Sequence, residues 1–149
     1  MKIEMVKNSN FDFLHLCKKL DDVHNEIVAE QRYPNSNCCV GNEKYTSVYV
    51  MYVDNEAVGC LALTDVKDGV VVLGRVYVMD EYRKHGIATK LFDCAVKDAK
   101  ANGAKTMILD TYSRLVSAVN LYEKLGFTVV PQLPGLEDFP YSICMAKQL

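Results

Sequence analysis

The sequence predicts a single α/β domain, residues 1–149, with a mixed, mostly antiparallel sheet whose central parallel pair of strands is flanked by helices. Three observations carry this prediction. Residues 70–79 are apolar or β-branched except at Gly74 and Arg75, which indicates a central strand covered on both faces. Apolar residues then recur with helical period at positions 87, 88, 91, 92, 95, 96 and 99. Shorter strand-like and helix-like segments occupy the rest of the chain.

The first third of the chain predicts one strand and two helices. Residues 2–6 alternate enough to form a short strand. Either Ser9 or Asn10 can cap a first helix over residues 11–20. The acidic pair that follows can start a second helix over residues 21–31, before a loop that contains a proline.

The middle of the chain predicts an antiparallel hairpin that leads into the central strand. Residues 45–53 and 57–64 are strand-like, and Asp54-Asn55-Glu56 between them is typical of a tight turn. A second turn over residues 67–69 returns the chain to the central strand.

The last third completes the element order βααβββαβαββ. The helix after the central strand ends at Asn102-Gly103, which is typical of a helix C-terminus. Next we expect a strand over 106–111 and a helix over 116–125 closed by a glycine. The final strands are predicted at 127–130 and 142–146, with a proline-containing loop between them.

The segment that joins the central strand to its helix has the features of an anion site. Amides in the first turn of a helix lack internal partners, and the helix dipole adds positive potential there. Gly86 carries no side chain to shield that backbone, and Arg83 and Lys84 add positive charge. A phosphate or pyrophosphate would suit such a site. An ordinary strand–turn–helix with a solvated basic turn explains the same residues.

Two blocks of sequence together resemble the GNAT superfamily of acyl-CoA-dependent N-acyltransferases. Residues 83–88, RKHGIA, fit its signature loop Arg/Gln-x-x-Gly-x-Gly/Ala, with Ala88 at the last position. Residues 118–127, AVNLYEKLGF, resemble its later helix and strand. The blocks occur in the family's order, with a plausible strand between them. Segments 20–28 and 130–145 also resemble one bacterial branch of the superfamily.

The resemblance implies an N-acetyltransferase that moves an acetyl group from acetyl-CoA to a primary amine of a small molecule or peptide by direct attack. The end of the central strand would pair with the pantetheine arm, and the Val78 N–H would face the thioester oxygen. The following loop would hold the pyrophosphate on its backbone amides. The cofactor-binding residues implied in this way are Val76, Tyr77, Val78, Arg83, Lys84, His85, Gly86, Ile87, Ala88 and Thr89.

The catalytic residues are only partly assigned by the resemblance. Tyr122 matches the tyrosine proposed in relatives to protonate the leaving thiolate, although its helical spacing also suits a core aromatic. The general base is open, because Val72 stands where many relatives carry a carboxylate. Asp110, at the end of the next strand, is the best candidate for a water-relayed base or amine anchor; a plain turn carboxylate is an equal alternative. Leu115 replaces an asparagine that contacts the cofactor in many relatives.

Composition limits the classes of partner. The net charge of −2 argues against nucleic acid, since binding to phosphates needs a basic surface. The six cysteines have no metal-ligand spacing, so no metal is expected. No apolar run reaches membrane length and no signal region is evident, so we expect a cytoplasmic protein.

Two other functions are compatible with the same residues. The missing carboxylate at Val72 also fits a non-catalytic acyl-CoA-binding module. A nucleotide-phosphate-binding protein could use the same helix N-terminus. The acceptor amine is not encoded in any motif of residues 10–44 or 131–141, and a homodimer is expected only from the resemblance.

Overall fold

The computed structural model describes residues 1–28, 44–132 and 141–149. In this part of the chain it has the following strands: β1 Lys2–Val6, β2 Tyr45–Val53, β3 Glu56–Thr64, β4 Val70–Val78, β5 Thr106–Tyr112, β6 Thr128–Val130 and β7 Ser142–Gln148. Its α-helices are α1 Phe11–Val28, α2 Ile87–Ala101 and α3 Val116–Lys124. The predicted α/β class is confirmed, and most element boundaries agree with the predicted ones to within two residues.

The prediction of two helices between β1 and β2 is wrong for residues 11–28, which form one continuous helix. Asn10 caps its start, where the amide of Phe13 donates to the Asn10 side chain at 3.1 Å. Asp21, the predicted start of the second helix, is instead a buried mid-helix residue that faces the sheet. Residues 29–31 of the predicted second helix, and the loop up to residue 43, lie outside the described residues.

The sheet has the order β1-β2-β3-β4-β5-β7-β6. The pair β4 and β5 runs parallel, as predicted, and every other pair of neighbouring strands in this sheet is antiparallel. The connection from β4 to β5 passes through α2, as expected for a parallel pair. This crossover places the N-terminus of α2 beside the end of β4.

Apolar residues pack on both faces of the sheet. One cluster joins α2 and α3 to the sheet and contains Leu91, Phe92, Tyr122 and Phe127. A second cluster joins α1 to the opposite face and contains Phe13, Leu16, Tyr45, Val48, Val50 and Tyr77. Residues Val48 to Met51 of β2 contribute alternately to the two clusters, as the alternation of side chains along a strand requires. Both faces are therefore covered, which explains the nearly continuous apolar sequence of β4.

The helix ends follow the glycine signals in the sequence. Gly103 has a φ of 91°, and the Ala104 amide donates to the Ala99 carbonyl at 2.9 Å, closing α2. Gly126, with a φ of 97°, closes α3 in the same way. No helix in residues 1–28, 44–132 or 141–149 is long and apolar enough to cross a membrane.

Candidate active site

The two parallel strands separate before they end. β4 and β5 are paired at Val70–Val72 with Thr106–Ile108, and no pairing between them is found beyond that point. Both strands nevertheless continue, β4 to Val78 and β5 to Tyr112. The split between β4 and β5 therefore leaves the facing backbone edges of the two strands unpaired with each other, next to the N-terminus of α2.

A bulge in β4 bends the strand where the split begins. The register between β3 and β4 shifts between Cys60 and Ala62, and Arg75 on β4 has a φ of 56°. The Cys60 thiol donates to the Arg75 carbonyl at 3.2 Å. A non-glycine residue in the left-handed region within a strand is typical of a bulge or a strained site. The bulge turns the last residues of β4 away from β5.

The backbone of Val78 faces the split. Val78 pairs with Gly59 of β3, and the neighbouring Met79 amide donates to the Val58 carbonyl at 2.8 Å. Hydrogen-bonded and non-hydrogen-bonded pairs alternate along antiparallel strands. The N–H and C=O of Val78 consequently point away from β3 and toward the split, as the predicted contact with a thioester oxygen requires.

The N-terminus of α2 presents backbone amides next to this strand end. The first turn is closed by the Lys90 amide, which donates to the Gly86 carbonyl at 3.0 Å. The amides of Ile87, Ala88 and Thr89 precede that bond and have no carbonyl of the same helix to bind. Together with the helix dipole they give this helix end the positive potential on which the predicted anion site depends.

Gly86 keeps this helix end open. It is the N-cap of α2, has a φ of 76° and makes no side-chain capping bond. A Cβ added at Gly86 would meet nothing within 4 Å. Lys84 is also left-handed, with a φ of 66°. The loop is therefore a tight, exposed turn in which glycine satisfies the backbone and leaves room for a ligand.

Arg83 secures this loop to the strand. Its Nε donates to the Val78 carbonyl at 3.1 Å, and its Nη2 lies 3.2 Å from the Asp80 carboxylate. The guanidinium carbon also lies 6.0 Å from the centre of the Tyr77 ring. The charge of Arg83 is thus partly balanced within the loop, whereas Lys84 and His85 are exposed on it.

Tyr122 approaches the split from the face covered by α2 and α3. It is 9% exposed and packs edge-on against Phe127, with ring centres 5.9 Å apart. Burial raises the pKa of Tyr122 well above its usual range, and the nearby Tyr45 and Asp110 raise it further. The hydroxyl therefore keeps its proton at neutral pH and can donate it.

Asp110 lies on β5, two residues beyond Ile108, which is the last residue of β5 that pairs with β4. Its side chain is exposed. Its strand neighbours Leu109 and Met107 belong to the core under α2. Because side chains alternate along a strand, Asp110 faces the side of α1. The structure thus brings Asp110 and Tyr122 to the same split from opposite faces of the sheet.

Sequence reasoning missed Tyr45 of β2, and it interpreted Asp21 as part of a solvated charged face and only a weak candidate for the base. Tyr45, on β2, reaches across to Gly74 of β4. Asp21 on α1 forms an ion pair with Arg75, with Nη1 and Oδ1 3.2 Å apart. The interior glycine of β4 was a usable signal, because glycine inside a strand often marks a bulge or a close approach.

The residues at the split fit acetyl-CoA as a cosubstrate. Phosphate groups need backbone donors and space, which the open N-terminus of α2 supplies. An extended pantetheine arm needs an unpaired strand edge, which β4 supplies after Val72. In the described residues no group of three or more His, Cys, Asp or Glu side chains is placed to hold a metal ion.

Known proteins of similar sequence are named as N-acetyltransferases. An N-alpha-acetyltransferase of Saccharolobus solfataricus is 29% identical over 147 residues, which cover 87% of this chain and 88% of that protein. The uncharacterized N-acetyltransferase YobR of Bacillus subtilis is 33% identical over 84 residues. Those residues are 56% of this chain, which spans only 34% of YobR.

Solved structures and a family model agree with this relationship. A Klebsiella pneumoniae protein assigned as an acyl-CoA N-acyltransferase superposes with a TM-score of 0.82 at 22% identity, covering 99% of this chain and 97% of that one. An aminoglycoside 6'-N-acetyltransferase complexed with coenzyme A gives 0.67 at 20% identity, with the same coverage. These similarities establish the fold. The model of the acetyltransferase (GNAT) family matches residues 13–127, and the chain therefore belongs to that family.

Proposed function

We propose that this protein is an acetyl-CoA-dependent N-acetyltransferase whose acceptor is a primary amine. The observation that carries the proposal is the split between β4 and β5, which lies beside the open N-terminus of α2, with the buried Tyr122 near enough to Asp110 to be affected by its charge. In the reaction the carbon–sulfur bond of the thioester breaks, and a bond forms between that carbon and the amine nitrogen. The amine loses one proton and the departing thiolate gains one, so that the protons balance.

The cosubstrate would be held largely by backbone groups. Residues 76–78, at the free edge of β4, would pair with the pantetheine arm, and residues 83–89 would bind the pyrophosphate. Acetyl-CoA supplies the acetyl group as an activated thioester. The Val78 N–H faces the split and can donate to the thioester oxygen, where negative charge develops as the amine attacks.

Tyr122 is the proposed acid. A thiolate leaves faster when a proton is offered to it, and a thiol has a pKa near 8.5. A tyrosine carries its proton at every physiological pH, and burial raises the pKa of Tyr122 further, so the proposed transfer occurs as negative charge develops on the sulfur beside it. Transfer would leave a phenolate that takes a proton back from solvent or from the acceptor side.

Asp110 is the proposed amine anchor or water-relayed base. The amine starts as an ammonium with a pKa near 10.4 and must lose a proton before it can attack. The exposed carboxylate of Asp110 lies at the start of the split on the α1 side and can attract that ammonium. It would then pass the proton to solvent through water.

The names of the relatives favour an amine acceptor and differ on which one. They include an N-alpha-acetyltransferase, streptothricin acetyltransferases and an aminoglycoside 6'-N-acetyltransferase. Two of these names specify transfer to nitrogen. The proposal therefore names acetyl-CoA as the acetyl donor and a primary amine as the class of acceptor. Screening must identify the particular amine.

Isothermal titration with acetyl-CoA, followed by an assay of CoA release over a panel of amines, tests the proposal. Micromolar binding at one site per chain together with amine-dependent CoA release is the expected result. Tight binding without release for any amine would instead favour the non-catalytic acyl-CoA-binding module, which the absence of a carboxylate at Val72 also fits. Absence of binding would reject both functions.

A further inference from the structure

The side chain of Tyr45, which lies on β2, fills space beside Gly74 of the central strand β4. Tyr45 is the first residue of β2 and is only 7% exposed. A Cβ built on Gly74 of β4 would collide with the Tyr45 hydroxyl and would lie 2.6 Å from the ring carbon that bears it. The phenol of Tyr45 therefore fills the volume that a side chain at position 74 would take.

Gly74 and Asp110 are level with each other where the split begins. The last paired residues are Val72 and Ile108, and each of the two positions lies two residues further along its strand. Val71, Leu73, Met107 and Leu109 all belong to the core under α2. The alternate positions, including Gly74 and Asp110, consequently face α1. The Tyr45 hydroxyl and the Asp110 carboxylate thus lie on the same, α1 side of the split, and the charge of Asp110 acts on Tyr45.

The electrostatic environment of Tyr45 supports this placement. Its pKa is raised to about 12, chiefly by burial; Arg75 opposes that rise, and the charges of Asp110 and Cys17 add to it. The phenol is therefore neutral in the physiological range. A neutral phenol can donate one hydrogen bond and accept others.

The side chains at this point include groups that can bind a cation. Arg75 pairs with Asp21 at 3.2 Å, with side chains 13% and 5% exposed. Asp110 adds a further negative charge from β5 and is exposed. An ammonium placed beside Asp110 and Tyr45 would donate a charge-assisted hydrogen bond to the carboxylate and a second hydrogen bond to the phenol oxygen.

We propose that the acceptor binds as a primary ammonium on the α1 side of the split, between the Tyr45 hydroxyl and the Asp110 carboxylate. Tyr45 then performs the task of orienting the amine, which the apolar Val72 and the bare Gly74 of β4 cannot perform. After one proton leaves to water, the Tyr45 oxygen accepts a hydrogen bond from the amine and Asp110 accepts another. This inference rests on the proposed acetyl transfer and adds a binding residue and the charge state of the acceptor.

The test compares Tyr45→Phe with Tyr52→Phe, using the amine that gives the highest CoA release. Tyr52 lies on the same strand and its hydroxyl also donates to a carboxylate, Asp12 at 2.7 Å. Both variants lose one phenol oxygen, and Tyr52 lies outside the proposed site. We expect Tyr45→Phe to raise the KM for the amine about 10-fold or more with unchanged acetyl-CoA affinity, and Tyr52→Phe to leave both at wild-type values.

A double-mutant cycle separates binding to one shared ammonium from a general effect on structure. Tyr45→Phe and Asp110→Asn should be non-additive in kcat/KM for the amine, since each disturbs the same bound group. Equal KM values in the wild type and Tyr45→Phe, or strict additivity, would overturn the inference while wild-type turnover continues to support the proposed function. Absence of turnover with every amine would reject the proposed function and this inference with it.

Discussion

The guanidinium of Arg75 and the carboxylate of Asp21 form an ion pair that joins α1 to the bulge of β4. The Nη1 to Oδ1 distance is 3.2 Å, and the side chains are 13% and 5% exposed. Arg75 also carries the left-handed φ of 56° that bends the strand. The ion pair therefore ties the position of α1 to the residue at which β4 departs from β5.

Breaking this ion pair should destabilise the protein strongly. Asp21→Asn removes the charge that faces Arg75, and the loss of one partner of a buried pair typically costs about 3 to 5 kcal/mol. We expect the free energy of unfolding to fall by roughly 3 kcal/mol, measured by urea denaturation.

Asp22→Asn is the matched control for this change. Asp22 is the next residue, 65% exposed, and lies 3.7 Å from Lys18 in an ion pair on the helix surface. Exposed pairs of this kind contribute about 0.5 kcal/mol or less. If Asp21→Asn and Asp22→Asn lowered the free energy of unfolding by similar, small amounts, the Arg75–Asp21 pair would not hold α1 in place.

Gly86→Asp should abolish binding of acetyl-CoA. The substitution puts a carboxylate at the helix end where the pyrophosphate is proposed to bind, and like charges repel in that space. The helix itself should tolerate the change, because a Cβ at Gly86 meets nothing within 4 Å and aspartate adopts the left-handed conformation more readily than most residues. Isothermal titration measures the affinity, and the melting temperature reports on folding.

Gly103→Asp provides the comparison at the other end of α2. Gly103 also has a positive φ, 91°, and a Cβ there would likewise meet nothing within 4 Å. Each variant therefore forces a left-handed aspartate at a cost of about 1 kcal/mol, and only Gly86→Asp is expected to lose the ligand. An unchanged affinity in Gly86→Asp would refute the assignment of the loop.

Tyr122→Phe should lower turnover about 10- to 1,000-fold with little change in acetyl-CoA affinity. The phenol proton is lost while the ring, which packs against Phe127, is kept. Steady-state kinetics with the best amine gives kcat, and calorimetry gives the affinity.

Tyr49→Phe controls for loss of a buried hydroxyl on the same face of the sheet. Tyr49 is fully buried, and its hydroxyl donates to Asp98, near the C-terminus of α2, at 2.7 Å. This variant should lose stability and keep its turnover number. A wild-type rate in Tyr122→Phe would make Tyr122 a packing residue, as its helical spacing alone suggests.

The sequence was sufficient to predict features that depend on neighbouring residues. The strands, the closure of α2 at Gly103 and the loop at Gly86 all have local signals in side-chain alternation and glycine position. The continuity of α1 was missed because Asp21 resembles a helix start. Its burial against Arg75 is a contact between residues far apart in sequence, which overrides that local preference.

The candidate site was predictable only where a motif marks it. Residues 83–88 and Tyr122 lie in recognisable blocks, whereas Tyr45 begins an ordinary apolar strand. Its approach to Gly74 depends on the bulge of β4 and on the pairing of β2 with β3 and β3 with β4. No pattern within one segment encodes such a relation, although Gly74 inside the strand marked the place.

Tyr45 should make the stability of the protein fall at alkaline pH. Burial is the main cause that raises its pKa from 10.0 to about 12 in the folded state. Below pH 10 both folded and unfolded chains keep the phenol proton, so the contribution of Tyr45 is fully present. Between about pH 10 and 12 the unfolded chain loses the proton first, and the contribution declines by roughly 2 to 3 kcal/mol.

Urea denaturation of the wild type and Tyr45→Phe at several pH values measures this contribution. From about pH 7 to 9 the two proteins should differ by a constant amount, since neither state of Tyr45 titrates there. Above pH 10 the free energy of unfolding should fall more steeply in the wild type, because phenylalanine has no proton to lose. Parallel curves up to pH 12 would mean that the Tyr45 hydroxyl is not buried over Gly74, and would weaken its assignment to the split.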